Sequence, residues 1–320
     1  MDYSIPPTNY KEFVEYNRDK NKLILGEDTT KSNLEKNAEV EAEQSGEEAN
    51  SSVVDEAVGK KVISVEEYLA VVDALNKSVS SDASSKLWYR GMKSTTYDLL
   101  PSIMRDGLNV DLEIKYMSKF KSLANPYVEN IPGIPSEQGP ASYWEWLFYM
   151  QHYGVPTRIM DWTKDALVAL LFACCSKNES EISQDAIVYT LNPSELNKAF
   201  RLYDYLPEGY IPNVQEEKVY EIYGPNPRYR DIKDKPIAVL GPLNSTKISA
   251  QKGVFTVFPS RKDALALNKF DDSSQYLYSI VIDKDACDSI VAQLANYGIT
   301  EASLFPELSS IAQHIKNEGF

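Results

Sequence analysis

The stretch Trp144–Cys175, WEWLFYMQHYGVPTRIMDWTKDALVALLFACC, joins two helices of different character through a segment that cannot itself be helical. Trp144–Tyr153 carries Trp144, Leu147 and Phe148 on one face and reads as an amphipathic helix. Gly154 and Pro156 then interrupt the pattern, because proline removes a backbone donor and clashes with the preceding turn. Ala166–Cys175 is apolar throughout, with small residues at Ala166, Ala169 and Ala173. Those positions predict a buried helix lying close against a sheet.

Working outward, Lys86–Gly91 is aromatic and ends at a glycine, which predicts a strand delivering Arg90 at its end. Tyr116–Leu123 reads as a helix with Tyr116, Met117 and Phe120 at helical spacing. Ser64 and Glu67 have the spacing of a capping box ahead of Tyr68, Leu69, Val72 and Leu75, so a helix starts there. Ala186–Leu191, Val254–Val257 and Tyr276–Ile282 read as strands, Pro225–Pro236 as an irregular loop, and Lys284–Tyr297 as a helix. Ser303–Pro306 leads into a last short helix. Strands and helices do not alternate regularly and there is no internal repeat, so the fold class is α+β, a mixed sheet flanked by helices.

Residues 1–26 form a short N-terminal segment whose apolar patch, Leu23, Ile24 and Leu25, could pack on the body or recruit a protein partner. Residues 27–57 are rich in Glu, Ser, Asn and Ala and almost free of aromatics. Such a composition cannot offset its ordering entropy, which predicts an acidic flexible linker. The domain then spans 58–320, with an elaboration at about 192–235.

With 33 basic and 47 acidic residues the chain has a formal net charge of -14, which repels a phosphate backbone and makes generic nucleic-acid binding an unfavourable reading. Three cysteines, two of them adjacent, give no disulfide framework, and two histidines give no His-rich metal site. No metal site is expected. The longest uncharged apolar run is far short of the roughly 20 residues that a membrane helix needs. A soluble, cytoplasmic protein is the reading.

Several short stretches together carry a resemblance. They are Trp88-Tyr89-Arg90-Gly91, then Leu100-Pro101-Ser102 with Arg105, then Gln151-His152-Tyr153-Gly154-Val155-Pro156-Thr157-Arg158-Ile159-Met160-Asp161-Trp162-Thr163. Ala250–Phe255 and Leu304-Phe305-Pro306-Glu307-Leu308 extend the set. In order and spacing the set resembles the FRG domain family, whose name records a sequence pattern and implies no reaction. Ile159-Met160 departs from it, standing where two leucines are common.

The same blocks are similar to those of ADP-ribosyltransferases, which present an Arg on a first strand, a Ser or Thr before a helix with small residues, and a Glu on a later strand. That resemblance implies Arg90, Thr163 and Gln251 as catalytic positions, with NAD as a possible substrate and no certain cofactor. It further implies a nucleotide or other anionic small molecule as the ligand, and by analogy an effector in a bacterial toxin or phage-defence setting. Gln251 would keep a hydrogen bond but lose the charge that stabilises a ribosyl oxocarbenium ion, so Asp161, Glu221 or Glu301 would have to replace it. The alternative is a non-catalytic recognition module.

Tyr89, Gly91, His152, Thr157, Arg158, Asp161 and Trp162 complete the candidate ligand site. Arg158 and Asp161, three apart after Pro156, are expected to face one cleft from a turn. Each has a plainer reading as well. Arg90 could pair with Asp161 as a buried structural arginine. His152 could satisfy a backbone carbonyl at a helix end, Trp162 could be a core aromatic, and Thr163 could cap the helix beginning near Asp165. Cys174 reads as an inert core thiol.

Overall fold

The computed structural model describes residues 60–79, 86–105, 111–124, 126–127, 140–199, 207–225, 235–242, 246–260 and 264–305. The chain divides into two units, Met1–Ala49 and Asn50–Phe320, and every described residue lies in the second. The N-terminal segment, the acidic linker and the last short helix expected from the sequence lie outside the described residues. So does most of the Pro225–Pro236 loop.

Ser64 Oγ accepts the Glu67 N–H at 3.1 Å, and the Glu67 carboxylate accepts the Ile63 N–H at 3.0 Å. The first helix, α1 (Val65–Val79), therefore starts where the Ser-x-x-Glu spacing puts it and buries Tyr68, Val72 and Leu75. Leu69 is instead exposed, and Val71 takes its place in the core. The elements that follow are β1 (Trp88–Met92), α2 (Asp111–Ala124), α3 (Pro140–His152), β2 (Ile159–Thr163), α4 (Ala166–Cys174), α5 (Glu179–Ile182) and β3 (Ala186–Leu191). The 192–235 region contributes α6 (Pro193–Ala199) and α7 (Glu217–Tyr223). The remainder is β4 (Ile237–Val239), α8 (Thr246–Ala250), β5 (Gly253–Val257), β6 (Leu277–Ile282), α9 (Cys287–Asn296) and α10 (Glu301–Leu304).

The strands form one six-stranded sheet in the order β4-β5-β2-β1-β3-β6. Every neighbouring pair is antiparallel, which confirms α+β and corrects the expected mixed sheet. The connections explain why. Between β1 and β2 the described chain runs through α2 and α3 and returns to the end of β1 that it left. Between β2 and β3 the chain crosses over β1 through α4, with the short α5 following, and lands on the far side of β1, so these two strands are parallel to each other with the antiparallel β1 between them.

That crossover requires α4 to sit on β1. A Cβ on Gly91 would lie 1.9 Å from the Ala169 carbonyl oxygen and 2.6 Å from the Ala173 nitrogen, so helix backbone rests directly on strand backbone. Only glycine on the strand and alanines on the helix allow this approach. Asp165 starts α4 by accepting the N–H groups of Leu167 and Val168.

Pairing places Ile159, Asp161 and Thr163 of β2 on the same sheet face as Tyr89 and Gly91 of β1 and Phe255 of β5. Two separate apolar clusters cover this face. One packs α1, α4 and α9 on β1, β3 and β6. The other packs α2, α3 and α7 on β2, β5 and β4. A third cluster, with Trp88, Met160, Trp162 and Tyr189, covers the opposite face. Asp161 falls at the seam between the first two clusters. It is therefore exposed in the middle of a central strand whose other four residues are buried.

Gly91→Ala should force α4 off the sheet, because both clashing atoms belong to backbone and cannot rotate away. The expected loss is about 3 kcal/mol or more, at the upper end for overpacking. Urea unfolding measures it, and a loss under about 1 kcal/mol would contradict the close approach.

Candidate functional site

β1 and β2 share a single paired position, Tyr89↔Thr163, although β1 pairs with β3 along its whole length. Past that pair the two strands part, and a cleft of about 440 Å³ opens at the seam between the helical groups. It is lined from both faces of the sheet, by Tyr89, Gly91 and Asp161 on one side and by Arg90, Met92 and Trp162 on the other. Arg90 bridges the gap, its Nη1 donating to the Asp161 backbone carbonyl at 2.5 Å. The guanidinium thus replaces the missing ladder hydrogen bond.

The expected Arg90–Asp161 ion pair takes a different form, since the acceptor is the carbonyl and not the carboxylate. Arg90 Nε is buried and has no hydrogen-bond partner among the described residues. Burial lowers the Arg90 pKa to about 10, with Asp161 opposing the shift and Arg105 adding to it, so the group stays charged at neutral pH. The Asp161 carboxylate accepts from Gln151 Nε2 at 2.6 Å through Oδ1.

Thr163 and Gln251 also line the cleft, so all three positions suggested by the transferase parallel converge there. Their side chains are committed to backbone. Thr163 Oγ1 donates to the Gln251 carbonyl at 2.6 Å and accepts the Asp165 N–H at 3.0 Å. It does not cap α4, a role that Asp165 fills. Gln251 stands in the turn before β5, where Lys252 adopts φ 48°, and its Nε2 donates to the Leu304 carbonyl at 3.1 Å. Together these bonds tie the end of β2 to the β5 turn and to α10.

His152 ends α3 at the cleft margin, and Trp162 is a core aromatic that touches the cleft while its Nε1 donates to Thr256 Oγ1 at 3.1 Å. Thr157 and Arg158 are not in the lining. Thr157 is wholly buried and donates through Oγ1 to Gln151 Oε1 at 3.0 Å. Arg158 is wholly buried and outside the cleft lining, which corrects the expectation that it shares a cleft with Asp161. Arg158 stands just before β2, and its guanidinium is taken up beneath α2 and α3, over the Trp144 ring, instead of reaching the seam where Asp161 is exposed. Arg158 Nε lies 2.9 Å from Glu113 Oε2, and Nη2 donates to the Tyr143 hydroxyl at 2.7 Å, so the residue braces β2 against α2 and α3.

Of the replacement carboxylates, only Asp161 reaches the cleft. Glu221 pairs with Lys218 on α7, and Glu301 accepts from Ser176 Oγ. A further acid, Glu181, does line it. Burial pushes that carboxyl up, but the Asn178 N–H, the Tyr97 hydroxyl and Lys93 and Lys177 bring it below the usual range. Glu181 closes the capping box of α5, so its spacing from Asn178 was visible but its place at the cleft was not. Gln151, Arg105, Tyr97, Lys93, Phe172 and Phe305 are further lining residues that were not among the expected site positions. The Cys174 thiol, hydrogen-bonded with the free Cys287 thiol and buried, is held above the usual thiol range, as suits a core residue. Among the described residues no cluster could hold a metal ion, and no helix is long and apolar enough to cross a membrane.

Arg158→Met would leave Glu113 charged, buried and unpaired, at a cost of about 3–5 kcal/mol. Adding Glu113→Gln removes that charge and keeps an acceptor for the Arg158 backbone N–H, which the Glu113 carboxylate takes at 2.9 Å. The double variant should recover at least half of the loss in urea unfolding, whereas additive losses would contradict the pairing.

None of the curated proteins and none of the solved structures compared with the chain matches it. Residues 85–182 match the family model of the FRG domain, a span that runs from β1 to α5 and includes the Tyr89-Arg90-Gly91 and Gln151–Thr163 stretches. It stops short of Gln251 and Leu304. The residues that seat α4 on β1 and that hold Arg90, Gln151 and Asp161 in the cleft all fall inside this match, and the chain carries an FRG domain.

Proposed function

We propose that the cleft binds a nucleotide, with NAD the first candidate, and that Arg90 holds its phosphate oxygens. Arg90 carries the reading. A partly buried guanidinium with one N–H unpartnered among the described residues, and another given to a carbonyl instead of a carboxylate, gains both charge compensation and hydrogen bonds from an anionic oxygen. The cleft volume lies within the range of small-molecule sites. Its apolar walls include the Phe172–Phe305 and Phe148–Phe255 edge-to-face pairs, which suit a flat heteroaromatic ring.

On this reading the chemistry open to the site is cleavage of the nicotinamide–ribose bond, in a glycohydrolase or ADP-ribosyltransferase reaction. Asp161 is the group able to stabilise the developing ribosyl cation, because its carboxylate faces the cleft. Gln251 does not suit that part, since its amide is already bonded to the Leu304 carbonyl. The commitment of Thr163 and Gln251 to backbone favours a second reading, a recognition module that binds the same ligand without turnover.

Calorimetric titration with NAD and ADP-ribose, alongside chromatography of released nicotinamide, separates these outcomes. Arg90→Ala should weaken nucleotide binding by about tenfold to a hundredfold, or about 1.4–3 kcal/mol. Arg90→Lys should fall between it and the parent, having charge without the planar fork. Binding with no nicotinamide release favours the recognition module, and absence of binding by any nucleotide overturns the proposal.

Gln251→Glu should lower the melting temperature and give no gain in nicotinamide release. The new carboxylate would face the Leu304 carbonyl that the amide now satisfies. A clear gain in release would return the acid's place to position 251.

A further inference from the structure

Resting on that reading of the cleft, we infer that Gln151 is a positioning residue, its amide oriented by Thr157 so that it holds the Asp161 carboxylate ready for a hydroxyl-bearing ligand. The orientation follows from donors and acceptors. Thr157 Oγ1 donates to Gln151 Oε1 at 3.0 Å, and an amide whose oxygen is so engaged must present its NH₂ elsewhere. It presents it to Asp161 Oδ1 at 2.6 Å, the length of a charge-assisted bond. Thr157 is itself immobile. It is wholly buried, its N–H donates to Ser102 Oγ at 3.1 Å, and its carbonyl accepts from the Ile103 N–H at 3.2 Å.

The relay leaves Asp161 half used. Oδ1 is held by Gln151, while no described donor bonds Oδ2, and the carboxylate lines the cleft together with the Arg90 guanidinium. An acceptor and a charged donor facing one cleft suit a ligand carrying both hydroxyl and phosphate groups, that is, a ribosyl phosphate rather than a bare anion. The part of Gln151 is exerted through Asp161, since the only bonds its side chain makes among the described residues are to Thr157 and Asp161.

Two measurements test this. In the full-length protein without ligand, the side-chain amide of Gln151, identified by its loss in Gln151→Ala, should show one proton displaced downfield in the nitrogen–proton spectrum. Asp161→Asn, a change at an exposed position, should move that proton upfield, and an unchanged resonance overturns the inference. In ADP-ribose titrations, Gln151→Ala should weaken binding about tenfold while leaving the affinity for inorganic phosphate within twofold. In an Asp161→Ala background the same substitution should cost nothing further, whereas additive losses would show that Gln151 does not act through Asp161. Failure of the parent protein and Arg90→Ala to differ toward any nucleotide removes the reading of the cleft alone, and the amide resonance still decides the orientation.

Discussion

Backbone rests on backbone where α4 crosses β1, and most of the domain is arranged around that contact. Gly91 supplies the space, and Ala169 and Ala173 supply helix turns small enough to enter it. Because α4 is the connection between β2 and β3, its seat on β1 fixes which strands flank β1 and in which direction they run. The same seat keeps α4 over one half of the sheet, while α3 and its partners cover the other half. The seam between the halves is where a central strand comes to expose a carboxylate. A charge there would be costly beneath a continuous helical layer. It is tolerated because the two apolar clusters do not meet over it.

The stretch from Gln151 to Thr163 contains two kinds of residue that the sequence alone does not distinguish. Gly154, at φ +79°, ends α3 in a Schellman arrangement, with the Val155 N–H on the Met150 carbonyl and the Gly154 N–H on that of Gln151. Arg158 locks β2 to α2 and α3 through a buried ion pair. These residues build. Gln151 and Asp161 face the cleft and define its polarity, and Thr157 connects the two groups because it is buried yet bonded to Gln151. A dense motif can therefore be dense because one short segment has to terminate a helix, start a strand and shape a site within a few residues.

What could be read from the sequence was what local chemistry determines. The Ser64–Glu67 cap, the small-residue face of α4 and the strand carrying Arg90 are each properties of a few neighbouring residues. The antiparallel sense of the sheet was not legible, because it depends on α2 and α3 forming an out-and-back pair, a long-range fact with no local signature. Arg158 was misplaced for a related reason. Its spacing from Asp161 looks like shared orientation until α2 and α3 bring in Glu113 and Tyr143, the distant partners that take up its guanidinium. Glu181, Phe172 and Phe305 reach the cleft from elements that the chain's return over the sheet brings together, and their sequence neighbourhoods show only a capping box and apolar side chains.

The cleft also resolves a tension in the charge of the chain. A protein carrying a formal charge of -14 repels anions at long range, yet Arg90, Arg105 and Lys93 line one cavity, where Asp161 and Glu181 are the opposing acids among the described residues. Of those two acids, Glu181 spends its oxygens on the Asn178 N–H and the Tyr97 hydroxyl. The field inside the cavity is consequently set by the arginines at close range, where low dielectric magnifies it, while the outer surface screens and repels. An anion bound as proposed would gain little from electrostatic steering and would have to be recognised by contact. Contact recognition of that kind is what a pre-placed guanidinium and a carboxylate held by a fixed amide would supply on the proposed reading.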